Sequence, residues 1–435
     1  MMKSKRARTQ AATCVGTAAV LCVAVRAGAA IQYDVVTLSP GGLLYGVDHG
    51  VVVGESSPGH GATVWLTPNQ FVGLNPGPNG DPMGYSISYA YGISGIQAVG
   101  DGQSNIDGQH HALLWTSPSS SSVVDLNPGA GYASIAHAVS GNQQVGTVNA
   151  NAALWTGTAA SWVNLGGYVA MGVSDGTQVG IANSHAVLWH GTAASMVDLN
   201  PPQFTASQAS GISLGQTVGV GYFSHFNHAL LWTGPSASSV VDLNGQNLSS
   251  AALATNGVQQ VGYVSNQVPP HGGNPTDQHA VVWTGTAASV QALPIPTNYA
   301  LPNLVATAID SDGDIIGNEA SVMWTPHRVA GDANFDGTVG FDDLLILARN
   351  YGKSGDVGFV NGDFDMDRKV DFNDLVILAR NYGQGPTSSQ LAQFDPAFRA
   401  DAERAFADVP EPSGVAALCL AAATLSRRRR RGCTE

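Results

Sequence analysis

The chain has 435 residues, a formal net charge of −13, 53 glycines and only 11% charged residues. Between Ile31 and Thr325 there is no Lys or Arg at all, against 15 Asp plus Glu. A surface without fixed positive charge cannot neutralise phosphates, which argues against nucleic acid, heparin-like polymers and anionic lipid as partners of that stretch.

The N-terminus carries Lys3, Lys5, Arg6 and Arg8, then an apolar run over Ala11–Val25, then Ala27-Gly28-Ala29. Basic, apolar and small-residue regions in that order predict a secretory signal over residues 1–29, removed by signal peptidase. The run is too short and too rich in Ala for a membrane span. Cys14 and Cys22 leave with the signal, outside any lipobox, while Cys419 and Cys433 lie at the far end. The exported body is therefore expected to fold without disulfides, even in an oxidising compartment.

From Ile31 to Thr325 the chain is a repeat array. Tryptophan closes an L-W-like step at Trp65, Trp115, Trp155, Trp189, Trp232, Trp283 and Trp324, spaced 34 to 51 residues apart. A Val-Gly or Ile-Gly step also recurs, ending at Gly54, Gly100, Gly146, Gly180, Gly219, Gly262 and Gly317. Each unit offers about four strand-sized pieces bounded by Gly, Asn, Ser and Pro, and a period near 40 with that content predicts propeller blades. The last unit stops after Trp324 without the V-D-L strand that ends others, while Tyr33–Leu38 supplies one ahead of the first. A ring that pairs its first strand with its last three removes exposed sheet edges. The predicted fold is an all-β seven-bladed propeller over residues 31–326, closed by the N-terminal strand. An open β-solenoid or a two-domain β-sandwich is the alternative.

Four units place His-Ala four residues before the Trp, at His111, His185, His228 and His279, with Asn151, Gly61 and Ala320 at that place elsewhere. These units resemble the HAF repeat family of extracellular proteins over about 290 residues. That resemblance implies no chemistry. Residue by residue, each His is expected to start a strand and bond a neighbouring blade's backbone. The tryptophans are expected to be blade-to-blade core rather than sugar platforms, and Asp125, Asp198 and Asp242 of the V-D-L-N step to serve turns. The sequence holds no G-x-S-x-G elbow, H-E-x-x-H, P-loop or paired-acid motif. Glycosidase chemistry would need acids from distant blades, such as Asp48, Asp101, Asp175 and Asp310, to meet near the axis.

Asp332–Gly352 and Asp363–Gly383 are one pattern written twice, DANFDGTVGFDDLLILARNYG and DFDMDRKVDFNDLVILARNYG. Oxygen-bearing side chains stand at loop positions 1, 3, 5 and 12: Asp332, Asn334, Asp336 and Asp343, then Asp363, Asp365, Asp367 and Asp374. This is the ligand spacing of a twelve-residue calcium loop, with the backbone carbonyl of Thr338 or Lys369 at position 7. Position 9 is Gly340 in one loop, leaving that vertex to water, and Asp371 in the other, which binds through water. The pair resembles a type I dockerin over about 52 residues, loop plus exiting helix, with Asp at position 12. The resemblance implies two calcium ions, and a cohesin-like surface partner recognised through Phe341-Asp342 and Phe372-Asn373. These pairs depart from the small hydroxyl pair of well-known dockerins. Position 6 is Gly337 in the first loop but Arg368 in the second, where a positive φ is strained, so the second site is expected to be weaker. A cysteine-free module of residues 331–384 buries little core and is expected to need its metal to fold.

Residues 385–408 read mainly as a linker with a short helix within Leu391–Ala407, after a break at Gln384-Gly385-Pro386. Residues 409–435 hold Pro410-Glu411-Pro412, an apolar stretch Gly414–Leu425 and Arg427–Arg431. This resembles a PEP-CTERM sorting tail, which implies exosortase processing near Pro410–Pro412 and a transient membrane anchor with cytoplasmic arginines. The whole reads as an exported, non-enzymatic binding protein of the cell surface or extracellular matrix, its propeller open to neutral polysaccharide, cations or protein. The alternative is a polysaccharide-active, glycoside-hydrolase-type component of an extracellular assembly.

Overall fold

In a computed structural model, seven four-stranded antiparallel sheets form in chain order. It describes residues 30–407 except 57–60, 76–83, 224–225, 267–276, 297–302, 320, 356 and 384. The predicted signal, Ala320, and the sorting tail with Pro410, Glu411 and Pro412 lie outside the described residues. Six sheets use four consecutive strands, the first being Gly42–Asp48, Val51–Ser56, Gly61–Thr67 and Gln70–Gly73. The seventh takes Ala306–Ile309, Ile315–Gly317, Val322–Pro326 and, as its outer strand, Tyr33–Thr37. Tyr33 pairs with Pro326 and Thr37 with Val322. The chain is a seven-bladed β-propeller closed by its N-terminal strand, and this pairing removes the solenoid and the sandwich.

The recurring glycines have one cause. Innermost strands carry a bulge, for example between Ala136 and Ala138, and the Gly of the Val-Gly step pairs beside it. A Cβ on Gly54, Gly100, Gly146, Gly180, Gly219 or Gly262 would sit 1.8–2.0 Å from a carbonyl oxygen of the innermost strand. Only Gly permits that approach. The recurring tryptophans fill the layers between adjacent blades, and all seven are 0% exposed. Several keep the indole N–H satisfied across the blade boundary: Trp115 Nε1 donates to Leu74 O (2.8 Å) and Trp232 Nε1 to Leu199 O (2.9 Å).

The V-D-L-N step joins neighbours. Asp125 Oδ1 accepts from the Asn127 backbone N–H at 2.7 Å, the turn role expected of it. Asn127 Oδ1 accepts from Ser134 Oγ of the next blade (2.8 Å), and Ser134 Oγ accepts from Ala112 N (2.9 Å). The same relay recurs through Asp198, Asn200 and Ser207, and through Asp242, Asn244 and Ser250.

Beyond Pro326 the chain forms α1 (Phe341–Asn350), α2 (Phe372–Asn381), α3 (Ser388–Leu391) and α4 (Pro396–Ala407). Leu344, Leu347, Leu375, Leu378, Phe398, Ala402 and Ala405 share one buried core. The segment read mainly as a linker thus supplies two helices to the module.

The bulge argument predicts that Gly100→Ala costs about 3 kcal/mol or more in thermal or urea denaturation, because backbone must move. Gly73→Ala, with nothing within 4 Å of the added carbon, is expected to stay within about 0.5 kcal/mol of the parent.

Candidate metal loops and the propeller axis

The two loops fold alike to the level of single hydrogen bonds. Asp332 accepts from the N–H of Asp336 (3.1 Å) and Gly337 (2.9 Å), and Asp363 from Asp367 (3.2 Å) and Arg368 (2.8 Å). Asp343 accepts from Asn334 N (3.2 Å) and Gly340 N (2.8 Å), and Asp374 from Asp365 N (3.2 Å) and Asp371 N (2.8 Å). The acids at position 12 therefore also cap α1 and α2. Asp336 takes the Thr338 N–H, and Asp367 takes the Lys369 N–H and, at 3.2 Å, its ammonium. Position 6 is left-handed in both loops, Gly337 at φ 84 and Arg368 at φ 66. Position 4 is too, with Phe335 at φ 56 and Met366 at φ 59.

Four of these carboxylates are buried: Asp332, Asp343, Asp363 and Asp374 are 3%, 1%, 0% and 1% exposed. Among the described residues none of the four forms an ion pair with a basic side chain. Desolvation outweighs the backbone amides and pushes Asp332, Asp343 and Asp363 up to about 6. Oxygens of Asp363, Asp365 and Asp374 lie within 4.8 Å of one another. An all-oxygen donor set, converging from alternate loop positions, suits a hard divalent cation.

The loops do not hang free. The module lies over the turn end of the propeller axis. Phe359 N donates to Asp312 Oδ1 and Val360 N to Ser311 O, both 3.0 Å. A side chain on Gly358 would meet Ser311 Oγ at 2.3 Å and Asp312 Oδ1 at 2.5 Å, so the approach requires glycine. Arg328 donates from Nε to Asp312 O (2.7 Å) and pairs with Asp314 at 3.0 Å. His49 Nδ1 lies 2.9 Å from Asp312 Oδ2. This seam joins blade 7, blade 1 and the module. Sequence reasoning missed it, although Arg328 is the first cation after Arg26 and faces the D-S-D-G-D turn at Asp310–Asp314.

On the axis a cavity of about 460 Å³ separates the module from the innermost strands, and Asp48, Asp175 and Asp310 all line it. Asp48 is committed to Gly95 N (2.6 Å), and Asp310 to the N–H groups of Gly50, Asp312 and Asp314. Asp101 is not among its lining residues. It is 1% exposed and bonded to His110 and Tyr91. The histidine expectation needs correction. His111, His185 and His228 bond the side chains of Asp125, Asp198 and Asp242 at 2.7–2.8 Å, in the outer strand of their own blades, and not a neighbour's backbone. The register that sets Leu113 against Asp125 brings them together. In blade 6 the residue at that place is Ala292, paired with Val281, so the outer strand offers His279 no carboxylate there.

Of the residues assigned to partner recognition, Asp342 and Asn373 are exposed. Phe341 packs on Phe394 (centroids 6.0 Å), and the Arg404 guanidinium sits 3.8 Å from the Phe372 ring centroid.

No family model and no curated protein matches the chain. Among solved structures it is similar to a computationally designed protein at 15% identity, covering 68% of this chain and 100% of that one, TM-score 0.41. It is similar to streptogramin B lyase at 12% identity, covering 68% and 98%, TM-score 0.39. It is also similar to a catalytically inactive virginiamycin B lyase from Staphylococcus aureus at 12% identity, covering 69% and 100%, TM-score 0.37. The seven-bladed assignment rests on the sheet pairing.

The seam carries a pH signature. Burial works against the His49 imidazolium, but the hydrogen bond and charge of Asp312, with Asp48, more than offset burial and Arg368 and raise it from 6.5 to about 9. A raised pKa means the folded state holds the proton more tightly, so this stabilisation is full below about 6.5 and is lost as pH rises through about 9. Asp312 is held below the usual range, its burial outweighed by His49, so its contribution is lost only in acid. Thermal denaturation is expected to lose up to about 3 kcal/mol between pH 6.5 and 9.5. His49→Gln should flatten that window.

Proposed function

We propose that the chain is an exported, non-enzymatic binding protein of the cell surface or extracellular matrix, whose propeller presents the binding surface. Its helical module is a paired calcium-loop unit of dockerin type. Four buried carboxylates in two matched loops, none of them in an ion pair with a basic side chain among the described residues, carry this reading. A divalent ion in each loop offsets their desolvation. Asp332, Asn334, Asp336, Asp343 and the Thr338 carbonyl hold one ion. Asp363, Asp365, Asp367, Asp374 and the Lys369 carbonyl hold the other, with Asp371 bound through water. Export rests on the N-terminal signal pattern and surface sorting on the Pro410-Glu411-Pro412 tail. A cohesin-like partner has Asp342 and Asn373 within reach, but it must displace Phe394 from Phe341 and α4 from Phe372. The module therefore acts first as a clasp on its own propeller.

Chelator added to the full exported chain is expected to reduce helical ellipticity and lower the melting temperature, both restored by calcium. Unchanged ellipticity and melting in chelator overturns the metal assignment. In titration calorimetry, Asp336→Ala is expected to remove more calcium affinity than Asp367→Ala, because the loop holding Arg368 at positive φ starts weaker. The reverse order overturns that ranking.

A further inference from the structure

The polar groups around the axial cavity divide into two sets. On the side of blades 7 and 1 they are consumed: Asp48 accepts from the backbone N–H of Gly95, and Asp310 from that of Gly50. On the side of blades 3 to 5 they are idle. Among the described residues, the hydroxyls of Ser140, Ser174 and Ser213 and the carboxylate of Asp175 have no hydrogen bond or ion pair, yet all four line the cavity. The roof supplies Lys353, whose ammonium donates to Asn350 Oδ1 (2.9 Å) and has no other partner among the described residues. A second cavity of about 750 Å³ runs between α1 and blades 4 to 6, shares Asp175 and Asn350 with the first, and is lined by Arg349, which has no partner among the described residues. The module is thus fastened along one side of the axis and stands off the other, leaving a cleft from solvent to the axis.

We propose that this cleft binds a small neutral saccharide, a mono- or disaccharide. Each sugar hydroxyl both donates and accepts, and the cleft offers both: hydroxyls and a carboxylate on the floor, an ammonium and a guanidinium on the roof. Two roof cations disfavour an organic cation. The Asp175 carboxylate on the floor, in a chain of net charge −13, disfavours an anion. The axial volume lies within the usual range for small-ligand sites, which favour boundaries between structural units. The module covers the axis, so a polymer cannot thread it and a short saccharide can enter. Val139, Val173 and Ile212, each preceding its serine, give the ring C–H face an apolar seat.

This names the ligand of the proposed binding protein, and its test is separable from the calcium assignment. Calorimetry and saturation-transfer NMR on the full exported chain, with calcium present, would use glucose, galactose, xylose and cellobiose, with glucuronate and glucosamine as charged comparisons. At least one neutral sugar is expected to saturate with a Kd of about 1 mM or below. Asp175→Asn is expected to weaken it about 10-fold, and Ser174→Ala with Ser213→Ala by a similar factor. Asn suits the left-handed turn that Asp175 occupies at φ 47, so that fold should survive, and an unchanged melting temperature checks it. His185→Asn, at a blade edge, should leave binding unchanged. No saturation by any of the four neutral sugars up to about 50 mM overturns the proposal. So does indifference to both variants, or tighter binding of glucuronate or glucosamine. Ellipticity unmoved by chelator together with sugar binding would sink the calcium reading alone.

Discussion

Ring closure is the constraint on which the rest of the molecule depends. Five residues, Tyr33–Thr37, pair with Val322–Pro326 and supply the outer strand of the last blade from the opposite end of the array. Loop-closure entropy grows slowly with length, so joining distant ends costs little more than joining near ones. In exchange two sheet edges vanish. The pairing extends through His327, whose N–H donates to Gln32 O at 2.8 Å. Closure thereby fixes where the chain leaves the ring. Arg328 follows at once, already beside Asp312 and Asp314, and the module inherits its position from that exit.

Blade number and the closing strand were legible because their signals are tied to the backbone. A Gly that must face a bulge and a Trp that must fill a blade boundary leave few substitutes, so both recur visibly. The histidine partner was not legible. The distance from His111 to Asp125 along the chain says nothing until the third and fourth strands are set in register. The packing of α4 leaves a signal in the sequence: Phe398, Ala402 and Ala405 recur at helical spacing within Leu391–Ala407. The paired acidic loops were legible as a pattern. That they would lie against the propeller was not, because the contacts run through Gly358, Phe359 and Val360, which belong to no motif.

Charge placement explains why the seam is where it is. The propeller body has acids and no fixed base, so a buried acidic turn such as Asp310–Asp314 needs compensation from outside the body or from histidine. Arg328 and His49 supply it. Burial, then Asp314 and Asp312, raise Asp310, and burial raises Asp314 in spite of Arg328. Buried ion pairs add little net stability against an apolar isostere, but losing one partner is costly. The seam therefore defines position more than it contributes energy. It holds the module in one orientation on one side of the axis, and the gap on the other side follows from that.

The same logic bears on what the module can bind. Phe341 and Phe372 occupy equivalent places in the two loops, and α3–α4 and the segment between them cover both, through Phe394 and Arg404. Tyr351 Oη adds a hydrogen bond to Asp401 at 2.9 Å, and Tyr382 an edge contact with Phe406. An outside partner reading these positions would meet them only in the fraction of molecules with Phe394 and α4 released, and its apparent affinity would fall by that fraction. Asp343 and Asp374 both anchor a loop and cap a helix, so whatever orders the loops also orders the helices on which α4 rests. Metal in the loops would then tighten the cover as well as the face beneath it. The internal cover of Phe341 and Phe372 and any docking of another protein there would thus draw on one surface, and metal would not favour the second without also favouring the first.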